Sequence, residues 1–391
     1  MRAVSAAAKT DAVIVGAGPA GLAVGACLRH TGVPFVILEQ GDTVGSTWHR
    51  HYERLHLHTD RDRSELPFVH YPRGYPRYPS RLQVIAYLEE YARRFGLAPR
   101  FGQGVISARR QDGLWQVRTP AATYLSSSLI LATGYNGQPH IPTWPGQDLF
   151  EGEVLHSSRY TSGARFRGKR VLVVGLGNSG GEIAIDLWEH GGRPALAVRG
   201  PVNIIPRDLL GIPILAIAIP LTRLPGALAD TLTSPVLRLL FGDRERLGLE
   251  KPPDGPFAQI RRRGRIPLID VGTVGLIRQG HVDVRPRVER FSRTGVVFVG
   301  GAEERFDAVI LATGFRPAFH TFLEEASAVT DGIGNPRCSG RETELRGLYF
   351  CGFHVSPTGM LREIALEARA IAHDIAGKAI PRLPILRRVR R

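Results

Sequence analysis

Two glycine-rich turns of the form G-x-G-x-x-G constrain this chain more than any other feature. One is built on Gly16, Gly18 and Gly21, the other on Gly175, Gly177 and Gly180. Each follows a short apolar strand pattern, Ala12 to Val15 or Val171 to Val174, and each opens an apolar helical pattern. Glycine there permits a tight turn and close backbone approach, while the helix start offers unpaired N–H groups to a pyrophosphate. Pro19 and Ala20 complete the first turn; Asn178 and Ser179 complete the second. A strand–turn–helix unit that occurs twice predicts an α/β fold with two Rossmann-like dinucleotide-binding domains.

The strands that follow those helices end differently. "PFVILEQ" closes on Glu39 and Gln40, with Glu39 lying 23 residues past Gly16. A carboxylate at that offset accepts from a ribose 2′-hydroxyl and repels a 2′-phosphate, so the first turn suits an unphosphorylated adenosine dinucleotide. "PALAVRG" reaches Arg199, 24 residues past Gly175. A guanidinium forks onto phosphate, which predicts NADP(H) rather than NAD at the second turn.

Two more strand patterns, Ser128 to Leu131 and Ala308 to Leu311, run into Ala132-Thr133-Gly134 and Ala312-Thr313-Gly314-Phe315. Small residues there let a ligand or a neighbouring strand come close. These patterns bracket the second turn, and the simplest architecture inserts an NADP domain (157–305) into a FAD domain built from 1–156 and 306–391. Near the end of the chain, "GLYFCGF" predicts a buried strand reaching Gly352, and "MLREIALEARAIAHDIAG" an amphipathic helix. The turn at Pro357 to Gly359 is expected to meet the flavin ring.

Composition removes several alternatives. The chain's 391 residues suffice for two cores. The net charge of +15 favours anionic ligands, but Lys supplies only Lys9, Lys169, Lys251 and Lys378 of the 51 basic residues. The arginines are scattered apart from "RRRGR" (261–265) and the tail "RRVRR" (387–391), so no nucleic-acid role is expected. Cys27, Cys338 and Cys351 form no C-x-x-C pair, which argues against a disulfide framework, a zinc ribbon or a dithiol redox centre. His49, His51, His56 and His58 lack matched carboxylates or thiols, so no metal is expected. "LLGIPILAIAIPL" (209–221) is too short and proline-broken to span a bilayer and is expected to be buried or to line a tunnel. The opening "MRAVSAAAKT" has no secretory pattern, so a cytoplasmic location is expected.

Between the two turns lies "FEGEVLHSSRY", which spaces Phe150, Gly152, His156 and Tyr160 as F-x-G-x-x-x-H-x-x-x-Y. It resembles the fingerprint of flavin-containing monooxygenases and related class B enzymes, and a final Tyr rather than Trp points away from their Baeyer–Villiger members. "GSTWHRHYERLHLH", "GLGNSGGEIAIDL" and "IPLIDVGTVGLIRQG" resemble segments of the YUCCA-type branch. The resemblance implies FAD, NADPH and O2 as cofactors and co-substrate, with oxygen activated at the flavin C4a carbon. It further implies a small-molecule substrate, an aromatic 2-oxo acid converted as indole-3-pyruvate is to indole-3-acetate. Oxygenation of a soft nitrogen or sulfur, oxygen insertion beside a ketone, and a flavoprotein that senses NADPH or transfers electrons are the alternatives.

Gly45, Thr47 and Trp48 fall where the family approaches FAD, although Ser46 replaces one glycine of the usual pair. His58 stands where N- and S-oxygenating relatives carry Asn. His58, His156 and Asn178 are therefore the candidate catalytic residues. For His156 a structural role at the crossing between domains is the alternative, and for Asn178 a helix-start bond to backbone. Tyr71, Tyr75 and Tyr78 are candidates to line an aromatic pocket, and Arg316 to hold a substrate carboxylate.

Overall fold

The run Ala12 to Val15 is apolar throughout because it is covered on both faces and hydrogen-bonded on both edges. In the computed structural model, which describes residues 7–242 and 244–377, this run belongs to β1 (Ala8–Val15). Strand β1 pairs in parallel with β2 (Phe35–Leu38) and with a long strand, β5 (Thr123–Leu131). The antiparallel hairpin β3 (Ser107–Gln111) and β4 (Leu114–Arg118) extends the sheet, and the late strand Leu348–Phe350 joins β5 in parallel. Helix α1 (Pro19–Thr31) connects β1 to β2 and stops at Gly32, which takes the left-handed conformation with φ 78°.

A second sheet is wholly parallel. It comprises β6 (Glu153–His156), β7 (Arg170–Val174), β8 (Arg193–Ala197), β9 (Asp283–Arg285) and β10 (Ala308–Leu311), in the order β9-β8-β7-β10-β6. Helix α2 (Asn178–Glu189) links β7 to β8. The helices α3 (Ile214–Leu221), α4 (Gly226–Phe241) and α5 (Pro256–Arg263) come between β8 and β9, followed there by the short helix Thr273–Arg278. The closing helix α6 (Met360–Ile375) lies along α1, with Ala368, Ile371 and Ala372 in the same buried cluster as Ala23, Ala26 and Cys27.

The expected boundaries at 156/157 and 305/306 cut through this second sheet. Strand β6, expected with the first unit, pairs with β10, and β10 pairs with β7, so that Leu311 lies opposite both His156 and Val174. The two "LILATG"-like strands read alike in sequence, and only long-range pairing decides which sheet each joins. The segments linking the sheets are also paired: Phe315–Arg316 runs antiparallel to Gln138–Pro139, and His140 N donates to Gly314 O at 2.9 Å. The basic tail and Lys378 lie outside the described residues.

Among the described residues no helix is long and apolar enough to cross a membrane. Among the described residues no group of three or more His, Cys, Asp or Glu is placed to hold a metal ion, and the clustered histidines diverge: His49 faces Glu89, His56 faces the carbonyl of Arg54, and His58 faces Glu182.

Candidate active site

The two glycine turns fold into near copies of one cradle. Gly16 adopts φ +113°, and a Cβ on it would lie 2.5 Å from the carbonyl oxygen of Ala132; Gly175, at φ +110°, stands 2.6 Å from that of Ala312 in the same sense. A Cβ on Gly21 would fall 1.8 Å from Gly16 O, and one on Gly180 would fall 2.0 Å from Gly175 O. The middle glycines differ, because a Cβ on Gly18 or Gly177 meets nothing within 4 Å. Both are helix N-caps without a side-chain cap. Each turn thus presents bare helix-start N–H groups to open space, which is what a pyrophosphate requires.

The strand-end residues suit different nucleotides. Glu39 is buried at the end of β2 and accepts from Ala17 N at 2.7 Å and Gly41 N at 2.8 Å. Its remaining lone pairs can still accept from a ribose hydroxyl. Arg199, just beyond β8, is exposed and has no hydrogen-bond or ion-pair partner among the described residues. Its fork is free for a phosphate.

A single cavity of about 830 Å³ begins at the first cradle. Its wall takes in the sequence candidates Gly16, Gly18, Pro19 and Ala20, then Glu39 and Gln40, then Gly45, Thr47 and Trp48. Ala132, Thr133, Gly134, His58, Asn178 and Gly352 complete that set. The cavity then continues between Leu215, Ala218, Leu237, Phe257, Ile260 and Ile269, apolar residues drawn from α3, α4, α5 and the strand beyond them. The segment 209–221 lines this lobe as expected. Its remaining wall was not legible in the sequence, since nothing in the spacing of Leu237 or Phe257 sets them apart from ordinary core residues.

Gly21, Gly175, Gly177, Ser179, Gly180, Arg199, Ala312, Thr313, Gly314 and Phe315 are not on this wall; Gly175 and Gly180 of the second cradle close on Ala312. Several expectations are corrected. Arg316 sits exposed on the linking strand and is not on the cavity wall, and no Lys or Arg lines the cavity among the described residues. Tyr71 stacks on Tyr87 with ring centroids 3.9 Å apart in the core, and Tyr78 donates to Asp208 at 2.6 Å. None of Tyr71, Tyr75 and Tyr78 reaches the wall, because the loop turns its rings toward the helix at 81–94 and toward the 206–213 hairpin.

His156 does not line the cavity either. It is buried, its Nδ1 accepts from Ser158 N at 3.1 Å, and its Nε2 donates to Gly314 O at 3.0 Å. Burial lowers its pKa, opposed by the bond to Gly314, so the ring is neutral and ties the fingerprint to the second Ala-Thr-Gly loop. The whole fingerprint reads as architecture. Phe150 packs edge-on against Phe291 at 5.4 Å, and a Cβ on Gly152 would lie 2.4 Å from the Phe150 ring. Tyr160 donates to Asp186 of α2 at 2.6 Å, and Gly163 N donates to the same oxygen at 2.8 Å. Tyr160→Phe should lower Tm by a few degrees, for roughly 1–2 kcal/mol lost when a buried carboxylate loses a donor. Thermal melts with and without FAD check this, and an unchanged Tm contradicts it.

Near the first cradle, His51 lines the cavity with its pKa lowered to about 4 by burial and by Arg81 and Arg50, so it is neutral there. Asn178 Oδ1 accepts from Ile269 N at 2.8 Å, pinning the start of α2 to the neighbouring strand, and its Nδ2 has no protein partner among the described residues. His58 bonds through Nε2 to the buried carboxylate of Glu182, a residue that sequence reasoning passed over.

Comparison with known proteins agrees with this geometry. Residues 13–206 match the family described as "Pyridine nucleotide-disulphide oxidoreductase". The chain is 42% identical over 371 residues to indole-3-pyruvate monooxygenase YUCCA1 of Oryza sativa subsp. japonica, covering 93% of this chain and 91% of that protein. It is 41% identical over 369 residues to the probable indole-3-pyruvate monooxygenase YUCCA4 of Arabidopsis thaliana, covering 93% and 89%. Among solved structures, a flavin-containing monooxygenase from Stenotrophomonas maltophilia superposes with a TM-score of 0.73 at 25% identity, covering 95% of this chain and 99% of that one. OTEMO, solved with FAD and NADP, shares the fold at TM-score 0.71 and 19% identity, covering 94% and 85%. Near-complete coverage at about 40% identity, on a frame with two nucleotide cradles, places the chain in the YUCCA family of flavin-dependent indole-3-pyruvate monooxygenases.

Proposed function

We propose that this flavin-dependent monooxygenase oxidatively decarboxylates an aromatic 2-oxo acid of the indole-3-pyruvate kind. Per turnover the acid, O2, NADPH and a proton give the acid one carbon shorter, CO2, NADP⁺ and water. The observation that carries this reading is the continuity of one cavity from the first cradle into an apolar lobe wide enough for an aromatic ring.

In this reading the chain forms two dinucleotide units, the second spanning roughly strand β6 to β10. Gly16, Gly18, Gly21 and Glu39 hold FAD, with Gly45, Thr47, Trp48 and Gly352 along its length. Gly175, Gly177, Gly180 and Arg199 hold NADPH. Bound together, the two cofactors supply hydride transfer and the activation of O2. The residues of the chain do the rest. Leu215, Phe257 and Ile260 exclude water and hold the ring of the substrate. With no Lys or Arg on the wall among the described residues, the substrate carboxylate is met by uncharged donors, of which Asn178 Nδ2 is one.

The test is purified FAD-loaded protein given NADPH, O2 and indole-3-pyruvate. One indole-3-acetate formed per NADPH supports the reading; NADPH consumed with hydrogen peroxide as the sole product contradicts it.

A further inference from the structure

At His58 the cavity wall is backed by a buried carboxylate from the far side of the molecule. His58 comes from the extended segment before Thr59, anchored where Leu57 N donates to Pro79 O at 2.9 Å. Glu182 comes from α2, the helix whose first turn forms the second cradle. The carboxylate is 3% exposed and the imidazole 13%. Glu182 Oε1 engages His58 Nε2, while Oε2 has no hydrogen-bond partner and lies 3.6 Å from Arg54. Arg54 in turn spends its fork on Glu189, at 2.8 and 3.0 Å. That leaves His58 as the hydrogen-bond donor to Glu182. The Nδ1 of His58 has no protein partner among the described residues.

We propose that Glu182 is a positioning residue for the monooxygenase reaction: by accepting from Nε2–H it fixes the ring and tautomer of His58, so that Nδ1 is the nitrogen offered to the cavity for proton exchange. The role in turnover rests on the reading above, whereas the pairing itself does not. An imidazole with neither nitrogen engaged samples both tautomers and rotates about its side-chain bonds; a carboxylate behind it selects one of each. The reaction consumes one proton per turnover, and besides His58 the wall's imidazoles and carboxylates are the neutral His51, His56, whose Nδ1 is engaged by the carbonyl of Arg54, and Glu39, which accepts from Ala17 N and Gly41 N in the first cradle. Because His58 and Glu182 stand on segments from different sheets, the pair closes only when the two are docked as here. The charged and titratable groups that surround it are Arg54, Tyr52, Asp186 and Glu189 on the far side, with His51 and His56 on its own segment.

Two variants test this, Glu182→Gln and Glu182→Leu, each checked for FAD content. Nitrogen-15 NMR of the FAD-loaded protein at high pH, with His58 assigned by comparison with His58→Phe, should show the Nε2–H form in the parent and a mixture of tautomers in E182L. Indole-3-acetate formed per NADPH should fall severalfold in E182L, with hydrogen peroxide making up the difference, and fall less in E182Q, whose amide oxygen can still accept from Nε2–H. Glu182→Asp should keep the parent's tautomer and most of its yield. An Nδ1–H parent, or an E182L protein with the parent's tautomer and the parent's yield, overturns the proposal. A parent protein that makes no indole-3-acetate overturns the substrate reading instead, and the nitrogen spectrum then judges the pair alone.

Discussion

Gly21→Ala is expected to give a colourless and destabilised protein, and Gly18→Ala a colourless but stable one. The difference follows from where each added methyl goes. At Gly21 it would lie 1.8 Å from Gly16 O, a backbone atom held by β1 and by the close approach of Ala132. The helix or the strand must move, at a cost of about 1–3 kcal/mol or more. At Gly18 the methyl meets no protein atom within 4 Å. It therefore leaves the apo fold intact and fills the space assigned to the pyrophosphate. Flavin absorbance after purification and Tm of the apo proteins separate the two cases. A Gly18→Ala protein with full flavin content would show that the open space at the first cradle is not the phosphate site.

Arg199→Ala should raise KM for NADPH by roughly ten- to a hundredfold and leave KM for NADH within about twofold. The guanidinium is exposed and unpaired among the described residues, so its removal costs the fold little. What is lost is a charged hydrogen bond to the 2′-phosphate, about 1–3 kcal/mol, and NADH has no such group to lose. Steady-state kinetics with both nucleotides decide it. Equal changes for the two would remove Arg199 from the nucleotide site.

The sequence carried the two cradles clearly because each is local: three glycines, the strand before them and the helix after them lie within a short stretch, and Glu39 and Arg199 fall at fixed offsets. The apolar lobe was half visible. The run at 209–221 announced something buried or tunnel-like, but Leu237, Phe257 and Ile269 are brought to it by packing that no spacing encodes. The assignment of Ala308 to Leu311 to the first unit failed because its pattern nearly repeats that of Ser128 to Leu131, and pairing partners are not written in a strand itself. Single polar residues were the least legible. His156 had the right company for catalysis, and both its ring nitrogens are taken up by Ser158 and Gly314; Arg316 had the right charge and is not on the cavity wall. Glu182 went unnoticed because it interrupts an apolar helix in a way that periodicity treats as noise, and only the arrival of His58 from a distant segment gives it meaning.

The two chain crossings between the sheets run side by side, hydrogen-bonded to one another through Gln138–Pro139, Phe315–Arg316 and the bond from His140 to Gly314. A pair of laced straps of this kind behaves differently from a single tether. Sliding one strap past the other would rip several of those bonds at once, whereas a shared twist or bend leaves them whole. Any movement of one sheet against the other that keeps these bonds must therefore carry both straps together.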